Sequence, residues 1–133
     1  MTALTTAPHQ LAWSILDRES LDLAEVLPVV LPADPRGDGS RIRLWLRDPD
    51  EPAVVALAFD TATGGLTIED YADDPASDAM LLALSFRASA DDVELLRAGA
   101  AYRGALIVER PRTGRFGPMK SALAVVTLTK GQG

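Results

Sequence analysis

The stretch Arg41-Ile42-Arg43-Leu44-Trp45-Leu46-Arg47 decides the fold. Ile42, Leu44 and Leu46 alternate with Arg41, Arg43, Trp45 and Arg47, and a period of two is what a strand with one buried face requires. The run stops at Asp48-Pro49-Asp50-Glu51-Pro52, where proline fixes φ and aspartate bonds its own backbone, so the chain turns.

Working outward, the same alternation recurs. Val54–Asp60 reads as the next strand, with Val55, Leu57 and Phe59 on one side, and Thr63-Gly64-Gly65 turns the chain into a short strand over Leu66–Glu69. An acidic loop spans Asp70–Asp78. Met80, Leu82, Leu84 and Phe86 then alternate with Leu81, Ala83, Ser85 and Arg87. Ala, Leu and Met favour helix, but alternation sustained over eight positions favours strand.

Ser89 before Asp92 has the form of a helix N-cap, and Gly99 supplies a C-cap, so a helix of two turns is expected over Ala90–Ala98. Tyr102–Glu109 and Ala122–Thr129 are strands joined by a basic Pro/Gly loop over Arg110–Lys120. In the N-terminal third, Pro28, Pro32 and Pro35 forbid one continuous central strand. Residues 1–20 are expected to be a flexible arm, with Ala3–Trp13 ordering only on a neighbouring chain, and residues 21–133 the folded domain. The expected fold is all-β: a small antiparallel β-sandwich of about seven strands with one short helix near residues 90–98.

The 133 residues suit one core, with 47% apolar and 24% charged residues. No cysteine is present, which excludes disulfides, thiolate zinc sites and cysteine nucleophiles. The single histidine, His9, excludes histidine-rich metal cages and would have to serve any Ser-His-Asp system from the arm. Serines lack a G-x-S-x-G context and no phosphate loop is present. Asp60 and Glu69 offer a nominal carboxylate pair, but an acidic chain provides such pairs everywhere. Asp48, Asp50 and Glu51, and also Asp70, Asp73 and Asp74, lack the spacing of a calcium loop and read as solvated turns. The expectation is a protein without catalytic residues, metal or cofactor.

Net charge is −6, which opposes approach to nucleic-acid phosphates. The apolar runs are far shorter than the roughly 20 residues of a membrane span, and Met1–Gln10 lacks the cationic start of a signal peptide. Nine acids and no cation lie between Asp48 and Phe86, whereas five cations and no acid lie between Arg110 and Gly133. Such polarity suits docking on a complementary surface. Trp45, on its arginine-rich face, and Arg110, Arg112, Arg115, Phe116 and Lys120, in the basic loop, are the candidate partner-binding residues, because arginine and aromatic side chains dominate interface energetics.

The order of motifs resembles the Ig-like β-sandwich domains of tailed-phage virion proteins, notably the N-terminal domain of baseplate upper proteins. The likeness runs over about Gly39–Gly131 and is carried by Arg47 at a strand end, the Gly64-Gly65 turn, Ser89-Ala90-Asp91, Gly99 and Tyr102. Pro28 and Pro32 interrupt the first strand of that pattern. The resemblance implies a structural protein of the tail, baseplate or head-tail region, assembled into the virion in the host cytoplasm and docking on other virion proteins and on copies of itself. The alternative is a capsid decoration or stand-alone module recognising a polysaccharide or host factor, for which Trp45 and Tyr71 side by side would be the mark.

Overall fold

The computed structural model describes residues 9–16, 19–31, 33–111 and 119–131. Eight strands and one short helix follow in the order β1 (His9–Ile15), β2 (Leu21–Val29), β3 (Arg41–Arg47), β4 (Val55–Asp60), β5 (Leu66–Asp73), β6 (Met80–Ala88), α1 (Ala90–Glu94), β7 (Ala101–Arg110) and β8 (Met119–Lys130). They form two sheets, β1-β8-β7-β3-β4 and β2-β6-β5, packed face to face as a sandwich.

Alternation decides the faces as expected in β3, where Ile42, Leu44 and Leu46 are fully buried, and in β6, where Leu82, Leu84 and Phe86 are. Between the sheets, Trp13 on β1, Phe59 on β4 and Phe86 on β6 form an edge-to-face trio with ring centroids 4.8 to 6.2 Å apart. β1 and β4 are opposite edges of the larger sheet, so contact between their rings means that this sheet curls around the smaller one.

Trp13 also corrects the reading of the N-terminus. His9–Ile15 is no arm: it pairs in parallel with β8, His9 opposite Ala124 and Ile15 opposite Lys130, so the sandwich is not wholly antiparallel. Trp13 and Ile15 are buried, Trp13 Nε1 donates to Glu25 Oε1 at 3.1 Å, and His9 Nε2 lies 3.0 Å from the Pro28 carbonyl. Leu11, Trp13 and Ile15 alternate with Gln10, Ala12 and Ser14, the same signal that identified β3. Met1–Pro8 of the expected arm lie outside the described residues. Pro28 sits in β2, an edge strand, where proline is tolerated.

β5 runs to Asp73 rather than ending at Glu69, because its register against β6 shifts between Ile68 and Asp70. One extra residue flips the phase of everything after it, and a strict period of two is lost at that point. A second shift, between Leu106 and Ile107 on β7, leaves Leu123 as an extra residue on β8, so that Leu123 and Ala124 are both buried.

The helix spans five residues, not nine. Ser89 caps it as expected, its Oγ accepting from the Asp92 amide at 3.2 Å. Past Glu94 a local turn bond, from the Leu96 amide to the Val93 carbonyl at 3.0 Å, is joined by tertiary partners. The Arg97 amide donates to the hydroxyl of buried Tyr102 at 2.7 Å, and Lys130 Nζ takes the Val93, Glu94 and Leu96 carbonyls. Gly65, at φ 84°, lies tight against β6: an added Cβ would stand 3.0 Å from the Arg87 carbonyl oxygen, whose own amide donates to Gly65 at 2.7 Å.

Candidate docking surface

The residues that could meet a partner occupy the outer face of the larger sheet. β3 supplies Arg41, Arg43, Trp45 and Arg47 there, because its even-numbered residues fill the core. Arg43 stacks on Trp45 with its guanidinium carbon 4.2 Å from the ring centroid, and Arg47 approaches the same ring at 5.9 Å. Together with Gly104, Ala105 and Ile107 of β7 they line a shallow depression of about 270 Å³.

The charges around Trp45 are only partly compensated. Arg41 is bound by Asp60, whose buried carboxylate accepts from Arg41 Nε at 2.9 Å. That guanidinium is the main reason the Asp60 carboxyl lies below the usual carboxylate range. Arg43 Nε has no hydrogen-bond acceptor among the described residues and meets Glu109 Oε2 only at 3.9 Å. Arg47 reaches one carbonyl, that of Pro52, at 3.3 Å, and stands directly opposite Arg103 in the β3–β7 register. Arg103 is exposed and has no side-chain partner among the described residues. Like charges opposite one another on a sheet destabilise it, so this pair is a local cost to the isolated chain.

The basic end of the sequence behaves differently. Arg110 is held inside the molecule by an ion pair with Asp38 and a long contact to the Ala33 carbonyl. Lys130 is buried. Lys120 is exposed on β8, opposite Glu109. Arg112, Arg115 and Phe116 lie outside the described residues. The cations that cluster around Trp45 therefore come from β3 and β7: Arg43 and Arg47 share its face by alternation, and Arg103 is added by the tertiary structure. Only Trp45's companions on β3 were legible from alternation; Arg103 required the β3–β7 register.

The acidic candidates separate as well. Asp60 serves Arg41, whereas Glu69, on the smaller sheet, accepts from Ser85 Oγ at 2.7 Å. Asp48 and Asp50 are both gripped by Arg97 at 2.8 Å. The Asp48 carboxyl is held low first by the Asp50 amide and then by Arg97. No group of three or more potential metal ligands forms among the described residues. Tyr71 is on β5, in the other sheet from Trp45, and its hydroxyl donates to the Leu31 carbonyl at 3.3 Å. The two rings do not form a sugar platform.

No family model matches the sequence, and no curated protein matches it. Among solved structures, AggA, the major subunit of aggregative adherence fimbriae type I from Escherichia coli, aligns with 95% of this chain and 91% of its own, at 13% identity and a TM-score of 0.34. That likeness is too distant to carry an argument about function.

Proposed function

We propose that this chain is a non-catalytic structural protein of a bacteriophage virion, in the tail, baseplate or head-tail region, that works by docking on other virion proteins and on copies of itself. The observation that carries the docking reading is the Arg47–Arg103 pair beside the Arg43–Trp45 stack. An aromatic ring flanked by under-compensated guanidiniums on a sheet face has the composition of an interface hot spot. An acidic partner would relieve the like-charge repulsion between Arg47 and Arg103.

The virion part of the reading is supported by where the motif residues fall. Arg47 ends β3, Gly64 and Gly65 make the turn before β5, Ser89 caps α1, Gly99 has φ 79°, and Tyr102 turns its ring into the core near the start of β7. Gly99 departs from the pattern: the helix ends at Glu94, and the Gly99 amide donates instead to the Lys130 carbonyl at 2.7 Å. The test is mass spectrometry of density-banded particles from the source host expressing a tagged copy. The chain at structural stoichiometry in the particles is expected; abundance in the cell with absence from the particles would overturn the virion assignment.

A further inference from the structure

The face opposite Trp45, on the smaller sheet, has the complementary character. The registers of β2 on β6 and of β5 on β6 place Pro28 beside Leu81 and Ala72, and Val26 beside Ala83 and Asp70. These are outward positions, since Leu27, Val29, Leu82 and Leu84 between them fill the core. Val26 is 58% exposed. The centre of this face is therefore small and apolar.

Its margin is acidic. The β5 bulge turns the consecutive Glu69 and Asp70 to the same outer side, where Glu69 meets outward Ser85 and Asp70 stands opposite outward Ala83. At the far end Asp22 pairs with Arg87 at 3.6 Å. Three carboxylates thus outweigh one guanidinium here, while on the Trp45 face Arg43, Arg47 and Arg103 outweigh Glu109.

We infer that the partner of the Trp45 face is a second copy of this chain, presenting the outer face of β2-β6-β5 with Glu69 and Asp70 toward Arg47 and Arg103. This rests on the docking reading above and names its occupant. The two surfaces lie on opposite sides of one sandwich, so the contact is heterologous and propagates head to tail, into a ring if the rotation closes and a filament if it does not. Three strands about 4.8 Å apart and nine residues of about 3.4 Å give a face of roughly 15 by 30 Å. That is small for a specific interface, so each contact is weak and weakened further by salt.

Sedimentation velocity on the purified chain, up to about millimolar and at low and high salt, tests the inference alongside three variants. Wild type is expected to associate with concentration and to lose association at high salt. Arg103→Glu should remain folded with an unchanged or higher melting temperature, since it replaces a repulsive cross-strand pair by an attractive one, and should be monomeric. E69K/D70K should also be monomeric, as should Ala83→Lys, which alters the same face without touching the bulge. An equimolar mixture of Arg103→Glu with E69K/D70K leaves one intact face on each chain and should regain association. A wild type monomeric throughout overturns the inference but not the virion reading, which the particle experiment decides separately. Association by folded Arg103→Glu, or by folded Ala83→Lys, or failure of the mixture to associate, also overturns it.

Discussion

Lys130 Nζ lies 2.6 Å from the Leu96 carbonyl oxygen, in the interior of the protein. The same ammonium donates to Val93 at 3.0 Å and to Glu94 at 3.3 Å, so the end of β8 closes the C-terminal end of α1. The last carbonyls of a helix have no intrahelical donor, and a cation there also meets the negative end of the backbone dipoles. Replacement by Lys130→Met keeps most of the stem volume and strips the carbonyls of this donor. A loss of about 2–3 kcal/mol is expected, read as a lower urea midpoint with an unchanged m-value.

The Trp13 ring gives a second test, aimed at β1. Trp13→Ala removes the ring that touches both Phe59 and Phe86 and should cost about 3–5 kcal/mol. For a domain of this size that is a fall in melting temperature of more than about 10 °C. A dispensable arm would show almost no change, so the melting curve separates the two descriptions of residues 9–15.

Asp60 makes stability depend on acid. Its folded carboxyl is held below the ordinary range, first by Arg41 and then by the Ala62 amide, against a desolvation that pushes the other way. A depressed folded pKa contributes stability that is fully present above the unfolded value, about 3.9, and is lost as pH falls through the folded value. Asp60→Asn should therefore cost about 2 kcal/mol at pH 7. The gap to wild type should close as pH falls below about 4. Melting curves of both proteins over that range check the sign; a gap that widened in acid would contradict it.

Gly104 allows β3 and β7 to approach. A Cβ at this position would overlap the Trp45 carbonyl, a backbone group that cannot rotate away. Gly104→Ala should separate the strands beneath Trp45 and cost about 1–3 kcal/mol. Because the Arg43–Trp45 stack sits on that contact, the variant should also shift the tryptophan emission spectrum.

The sequence by itself determined which side of most strands faces the core. Alternation in Arg41–Arg47 and Met80–Ala88 is a local property, fixed by the pleat and independent of which strand lies alongside. It also placed Trp45 among arginines and marked the Ser89 cap, since both depend on neighbours a few residues away. The tertiary structure alone decided that His9–Ile15 pairs in parallel with β8 more than a hundred residues later, because nothing local specifies a distant partner. It alone set where Arg110 and Lys130 go: Asp38 and the α1 carbonyls claim them from inside the fold, so a run of cations in the chain is not a patch on the surface. The same holds for the candidate interface. Arg47 meets Arg103, and Glu69 joins Asp70 on one side, only through register and a bulge. Register is a relation between strands, and a one-residue shift in it changes every side chain's face.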